Sequence, residues 1–161
     1  MAPAHRTFPC MRVLFVCSGN ICRSPTAEGV LVHLARERGL DVEVDGAGIG
    51  GWHVGDAPDA RSTAEAASRG VALRGVGRQV RATDFDDFDL LVAMDRTHQR
   101  DLERLAPDEE ARARVRLLRE WDPAAAGDLD VPDPYYGGGD GFRDVYDIIE
   151  RSCASLLDDV A

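Results

Sequence analysis

Short segments rich in apolar and β-branched residues alternate with longer segments in which apolar residues recur at helical spacing. The short segments suit strands of a parallel sheet, and they span residues 12–17, 42–44, 90–94 and 115–118. The segments predicted to be helical span residues 25–38, 58–69, 97–105 and 142–160. Because strands and helices alternate, the pattern predicts an α/β fold with a mostly parallel sheet.

The first predicted helix follows the first predicted strand after a turn of only a few residues. Its apolar stripe occupies positions i, i+3, i+4, i+7 and i+8, which are Ala27, Val30, Leu31, Leu34 and Ala35. Pro25 suits the first turn of this helix, and Gly39 suits its end. Since parallel sheets bind ligands at the carboxyl ends of their strands, we expect a site at this turn.

Composition narrows the possible functions. The chain has 161 residues, no Lys and 19 Arg, and its formal net charge is −10. Without Lys it has no Schiff-base residue, no anchor for pyridoxal phosphate and no Walker-type phosphate loop. The acidic balance argues against binding to nucleic acid or to anionic membranes. A phosphate ligand would therefore need a small, local cationic site.

The N-terminal segment and the four cysteines indicate the domain organisation and the cellular compartment. We expect residues 1–11 to form a disordered tail and residues 12–161 to form a single domain. No apolar run approaches the roughly 20 residues of a membrane span. The cysteines show no spacing typical of a disulfide framework, so we expect a cytoplasmic protein with reduced thiols.

The turn after the first strand carries the most specific chemistry. It reads Cys17-Ser-Gly-Asn-Ile-Cys-Arg23-Ser24. Gly and Asn tolerate left-handed backbone angles that turn successive amides toward an anion. The helix N-terminus adds its dipole, and Arg23 would hold two phosphate oxygens. The same positive field would keep Cys17 a thiolate, and Ser24 would donate a hydrogen bond to it.

Two other interpretations of this turn stay open. Cys17 could be a buried thiol at the end of a strand, although a Gly-Asn turn, an Arg and a Ser at these offsets all favour the anion site. Cys17 and Cys22 could also share a metal. A structural zinc site needs four ligands at paired short spacings, and the remaining cysteines and histidines are not so placed, so we expect no metal.

The segment Val16-Cys-Ser-Gly-Asn-Ile-Cys-Arg-Ser-Pro25 resembles the signature of the low-molecular-weight protein tyrosine phosphatases. The resemblance extends from about Arg12 to Leu157, and its further motifs are Trp52–Gly55, Arg78-Gln79, Ala93–Asp95 and Asp133-Pro-Tyr-Tyr136. It implies a four-stranded parallel sheet with helices on both faces, a flavodoxin-like doubly wound fold. It also implies hydrolysis of phosphotyrosine through a phosphocysteine, with no metal and no cofactor.

The resemblance extends to the acid and to the walls of the pocket. Asp133 lies between two prolines in a long loop predicted from Asp122 to Gly141, and it is the expected general acid and then base. Tyr135, Tyr136 and Trp52 would flank an aromatic ring. From the residues alone, Asp133 could be a turn Asp, and Trp52 could cap the core. The other expected contacts to substrate are Ser18, Gly19, Asn20, Ile21, Cys22 and Ser24.

Three departures or additions qualify the resemblance. The family counterpart of Cys22 can form a reversible disulfide with the nucleophile. Relatives usually carry Ser where this chain has Gly46, and they often carry His where it has Gly75. In those relatives the two side chains hydrogen-bond to the Asn that corresponds to Asn20. We therefore expect a more mobile phosphate loop around Asn20. His98 and the run of arginines that ends at Arg119 are expected to face solvent.

The expected partners are phosphotyrosine proteins or small aryl phosphates, and the expected state is a monomer or weak dimer. Three other functions remain as alternatives. A thiol-dependent arsenate reductase would need further cysteines, and residues 61–127 contain none. A phosphoarginine phosphatase tends to carry Thr at the position of Ile21 and to lack the paired Tyr. A pure phosphate-binding module would need neither Cys17 nor Asp133.

Overall fold

The computed structural model describes residues 10–135 and 139–160. Within them lies one four-stranded sheet, in the order β2-β1-β3-β4, with all neighbours parallel. The strands are β1 (Met11–Cys17), β2 (Val42–Gly48), β3 (Leu90–Ala93) and β4 (Val115–Leu117). The helices are α1 (Arg23–Glu37), α2 (Ala60–Ala67), α3 (Asp84–Asp87), α4 (Arg96–Leu105), α5 (Glu109–Ala113) and α6 (Gly139–Val160), and a 3₁₀ turn spans Leu118–Trp121. The predicted α/β class and four-stranded parallel sheet are confirmed.

Strand β1 lies at the centre of the domain and serves two cores. Val13, Phe15 and Cys17 point into the core under α1 and α6. Leu14 and Val16 point the other way, into the core under α4 and α5. This alternation follows from the period of two in a strand, and it places the Cys17 side chain on the α1 side of the sheet.

The predicted segments correspond to the observed elements within a few residues at each end. Met11, predicted to lie in the tail, is the first residue of β1 and pairs with Val42, while residues 1–9 of that tail lie outside the described residues. Two helices were not predicted, α3 and α5, because four or five residues are too few to show a helical period. No helix of the described part is long and apolar enough to cross a membrane.

Arg119 was predicted to face solvent, and this prediction was wrong. Its guanidinium is buried against Asp122, whose side chain is fully buried and accepts from Arg119 Nε at 2.9 Å and from Arg151 Nε at 2.7 Å. Burial alone would raise the pKa of Asp122, but the hydrogen bonds from Arg151, Ala124 and Arg119 outweigh it and lower that pKa. The two arginines thus hold the start of the 122–135 segment against α6.

The same segment is held a second time further along. Arg119 Nη1 donates to the Asp130 carbonyl at 3.0 Å, and the Val131 amide donates to the Met94 carbonyl, just after β3, at 2.8 Å. Because of these bonds, the segment reaches Pro132 and Asp133 from a fixed position at the carboxyl edge of the sheet.

The Asp122 anchor is testable by removing only its charge. Asp122→Asn leaves two guanidinium groups facing a neutral amide in a buried place, which should lower the free energy of unfolding by about 3 kcal/mol, measured by urea titration. Asp140→Asn, a change at an exposed carboxylate on α6, is the matched control and should leave it unchanged. A loss at Asp122 no larger than at Asp140 would show that this anchor does not hold the loop.

Candidate active site

A cavity of about 440 Å³ opens at the carboxyl end of β1, where the chain turns into α1. Its floor is the 17–23 turn, and its walls come from the loop after β2 and from the 122–135 segment. Its lining residues are Cys17, Ser18, Gly19, Ile21, Cys22, Arg23, Trp52, His53, Asp133 and Tyr135. The structure therefore brings the predicted turn, acid and two aromatic residues into one cavity. Tyr136 lies outside the described residues.

In the backbone of this turn, several carbonyls accept hydrogen bonds from the rest of the domain, whereas the amides make none to any described residue. The carbonyls of Cys17, Ser18 and Ile21 accept from the amides of Ile49, Gly50 and Asp59 at 2.8–3.0 Å. Asn20 has a φ of 60°, the left-handed angle predicted for this position. Within the described part of the chain, the six amides from residue 18 to residue 23 have no hydrogen-bond acceptor. Successive amides of this kind form an anion-binding nest.

Cys17 is buried at the floor of this turn. The Ser24 amide lies 3.4 Å from its sulfur, and the Ser24 hydroxyl lies 3.1 Å from it. That hydroxyl also donates to Asn20 Oδ1 at 2.7 Å. Since a hydroxyl has one hydrogen, Ser24 donates either to Asn20 or to the sulfur, and while it donates to Asn20 it can only accept from a Cys17 S–H. Ser24 thus connects Cys17 to Asn20, the residue of the turn with the left-handed backbone angle.

Arg23 brings a buried positive charge to the cavity. Its side chain is only 4% exposed. Nη1 donates to Asp95 Oδ2 at 3.0 Å and to the Val131 carbonyl at 2.9 Å. Nη2 lies 3.4 Å from Ser18 Oγ and 3.5 Å from Asp133 Oδ2. A buried charge of this kind needs such partners, and they fix the plane of the guanidinium.

Asp95 and His98 complete the site, and the sequence did not reveal their roles. Asp95 caps α4 by accepting from the His98 amide at 3.0 Å. Burial alone would raise the pKa of Asp95, but the His98 amide, His98 and Arg23 outweigh it and lower that pKa. His98 was predicted to face solvent, which was wrong, because its ring is 3% exposed and Nε2 lies 2.8 Å from Ser18 Oγ. Burial is the main cause that lowers the pKa of His98 to about 4.

Asp133 and the two described aromatic residues form the mouth of the cavity. The Asp133 carboxylate is partly exposed and faces Arg23. Trp52 is 73% exposed, so the alternative in which it caps the core is wrong. The Arg61 guanidinium stacks over two aromatic rings. Its Cζ lies 5.3 Å from the centroid of the Tyr135 ring and 4.6 Å from the centroid of the Phe142 ring. Arg61 therefore connects the wall that carries Tyr135 to the start of α6.

Cys22 lines the same cavity as Cys17 but in a different environment. It is buried, and burial followed by the charge of Asp59 raises the pKa of its thiol to about 12. Cys22 is therefore a neutral thiol near pH 7 and a poor nucleophile. Among residues 10–135 and 139–160, all cysteines are free and no group of three His, Cys, Asp or Glu side chains is placed to hold a metal ion.

The glycines that depart from the family pattern border Asn20. A Cβ added to Gly46 would lie 2.9 Å from Asn20 Oδ1 and 3.1 Å from Glu28 Oε1. Burial and the charge of Asp45 raise the pKa of Glu28 to about 7. Gly75 has a φ of 85° and open space around it, so a side chain there would require a change of backbone. Ser24 already supports Asn20, and the predicted mobility of the loop stays a prediction.

Comparisons with known proteins agree with this geometry. A family model described as low molecular weight phosphotyrosine protein phosphatase matches residues 12–161. A low molecular weight protein-tyrosine-phosphatase of Streptomyces coelicolor is 52% identical over 149 residues, which are 91% of each chain.

Solved structures give the same result. The crystal structure of a protein tyrosine phosphatase from Entamoeba histolytica superimposes with a TM-score of 0.88 at 36% identity, covering 92% of this chain and 96% of that one. A Drosophila arginine phosphatase superimposes with a TM-score of 0.87 at 38% identity, covering 92% and 97%. The range matched by the family model, residues 12–161, includes the turn that carries Cys17.

The environments of Cys17 and Cys22 predict which thiol reacts first. Near neutral pH, iodoacetamide should label Cys17 much faster than Cys22, because the Cys22 thiol ionises only near pH 12. Mass mapping of the labelled peptides measures both rates. Added inorganic phosphate should slow the labelling of Cys17 alone, since the anion would occupy the nest. Equal rates at the two thiols would contradict the assignment of Cys17 as the reactive one.

Proposed function

Since the chain belongs to the low molecular weight phosphotyrosine protein phosphatase family, we propose that it hydrolyses phosphotyrosine through a phosphocysteine on Cys17, with Asp133 as the general acid and then the general base. The observation that carries this proposal is the position of the Cys17 sulfur. It lies at the floor of a turn whose six consecutive amides have no acceptor among the described residues. A phosphate bound to those amides would present its phosphorus to the sulfur.

Binding would use the nest and Arg23 together. The free amides would donate hydrogen bonds to the phosphate oxygens, and the N-terminus of α1 adds its dipole to the same point. Arg23 is held on one side by Asp95 and Val131, so Nη2 and Nε are directed by the same bonds that fix its plane. A guanidinium fixed in this way binds two oxygens without losing side-chain freedom on binding.

The reaction would proceed in two displacements. In the first, the Cys17 sulfur forms a bond to phosphorus while the bond from phosphorus to the phenolic oxygen breaks. The electron pair leaves on that oxygen, which takes a proton from Asp133. In the second, water attacks phosphorus and gives a proton to the Asp133 carboxylate. The sulfur–phosphorus bond breaks, its electron pair returns to Cys17, and inorganic phosphate leaves.

The walls of the cavity favour an aromatic leaving group. Trp52 and Tyr135 stand at the mouth, where their faces can pack against a ring. Ile21 adds an apolar surface, at the position where phosphoarginine phosphatases tend to carry Thr. The similarity to an arginine phosphatase makes phosphoarginine the second candidate substrate. Phosphate release from phosphotyrosine and from phosphoarginine, measured side by side, separates the two.

The physiological setting belongs to the same proposal. We expect phosphotyrosine proteins or small aryl phosphates as substrates, a cytoplasmic location, and a monomer or weak dimer. The free thiols and the acidic surface support these expectations.

The nucleophile is tested by Cys17→Ser, which should abolish the release of p-nitrophenol from p-nitrophenyl phosphate. Inorganic phosphate should still bind, because the amides and Arg23 remain. Calorimetry measures that binding without turnover. Cys10→Ser, at a partly buried cysteine away from the cavity, is the control and should keep full activity. Turnover of Cys17→Ser within tenfold of the wild type would exclude Cys17 as the nucleophile.

The general acid is tested by Asp133→Asn. This change should slow aryl phosphates by roughly 10²–10⁴-fold, and the loss should grow as the leaving phenol becomes more basic. The measurement is the slope of log kcat/KM against the leaving-group pKa. Asp140→Asn, at an exposed carboxylate beyond the loop, should leave that slope as it is in the wild type. If Asp133→Asn also leaves it unchanged, another group protonates the leaving oxygen.

A further inference from the structure

Four side chains behind the cavity form a closed ring of polar contacts. Arg23 Nη2 lies 3.4 Å from Ser18 Oγ, and Ser18 Oγ lies 2.8 Å from His98 Nε2. His98 Nδ1 lies 3.2 Å from Asp95 Oδ1, close enough for electrostatic attraction although the geometry makes no hydrogen bond, and Asp95 Oδ2 accepts from Arg23 Nη1 at 3.0 Å. The four residues come from two segments far apart in the chain, the turn after β1 and the start of α4, and His98 is the only member that does not also bind the nest or Arg23 directly.

The state of the His98 ring follows from what surrounds it. Burial and the charge of Arg23 lower the pKa of His98, while Asp95, Asp101 and Asp133 oppose this, and the outcome is a neutral ring near pH 7. A neutral ring has one N–H. If Nε2 carried it, the bare Nδ1 would face the Asp95 carboxylate, an acceptor against an acceptor. With the hydrogen on Nδ1, that nitrogen faces Asp95 favourably and Nε2 becomes an acceptor.

The direction of every other hydrogen in the ring is then determined. His98 Nε2 accepts a hydrogen bond from the Ser18 hydroxyl, and the lone pairs of Ser18 Oγ are left to accept from Arg23. Arg23 can only donate, so a Ser18 hydroxyl that turned its hydrogen toward Arg23 would repel it. His98 is thus the acceptor that prevents this rotation.

We propose that His98 is a positioning residue. It fixes the Ser18 hydroxyl, so that Ser18, the first residue of the anion-binding turn, holds Arg23 in the orientation that receives phosphate. It touches neither substrate nor the reacting atoms. This inference rests on the proposed function for its kinetic test, but the affinity for inorganic phosphate tests it without any turnover.

The experiment compares variants that remove or keep the acceptor. His98→Leu removes both ring nitrogens, and it should weaken the binding of inorganic phosphate about tenfold and lower kcat/KM for p-nitrophenyl phosphate by at least as much. His98→Gln returns an amide oxygen near the position of Nε2 and should recover most of the loss. His33→Gln, on the outer side of α1 where His33 pairs with Glu37, is the control and should match the wild type.

A double-mutant cycle separates positioning from general stability. If His98 acts through Ser18, then His98→Leu should weaken phosphate binding no further in a Ser18→Ala background. Additive losses, or a folded His98→Leu with the phosphate affinity of the wild type, would overturn the proposal. If wild-type protein binds phosphate but hydrolyses no phosphotyrosine, the proposed function fails and this test still stands.

The wild-type protein provides a test that needs no variant. The ¹⁵N chemical shifts of an imidazole distinguish its two neutral tautomers. Near neutral pH, the shifts of His98 should report a hydrogen on Nδ1 and none on Nε2. A hydrogen on Nε2 would mean that His98 donates to Ser18, and the proposal would be overturned even if His98→Leu failed to fold.

Discussion

The arrangement of the carboxyl edge of the sheet depends on the buried guanidinium of Arg23. A charge with so little exposure persists only where acceptors surround it. Those acceptors are Asp95 from the end of β3, the Val131 carbonyl from the long loop and Ser18 from the turn after β1. Three segments that are remote in sequence are therefore held at one point by one side chain. The cavity is the space in front of it.

The parts of the molecule that depend on short-range pattern could be predicted from the sequence. The strands, the apolar stripe of α1 and the turn from Cys17 to Ser24 are each encoded within a few residues, and the structure contains them. Asn20 takes the left-handed angle that its residue type permits. The family resemblance supplied Asp133 and Tyr135, which their local sequence alone left as loop residues.

The remaining parts depend on contacts across long separations. His98 is buried because Ser18, 80 residues earlier, meets it at the edge of the sheet. Arg119 is buried because Asp122 and Arg151 converge on one place between the loop and α6. The residues next to His98 are polar, as on an exposed helix surface, and do not indicate its burial. Such partners become visible only when the order of the strands is known.

The amide of Val131 has a consequence for how the site operates. It ties the chain to Met94 only two residues before Asp133, and two peptide units span at most about 7 Å between Cα atoms. Pro132 and Pro134 remove further freedom on either side. The Asp133 carboxylate can therefore move only a short distance from Val131 and cannot be carried over the cavity by a large loop movement. If Asp133 is the general acid, it already stands at the cavity before substrate binds, and its delivery needs no closure of the 122–135 segment.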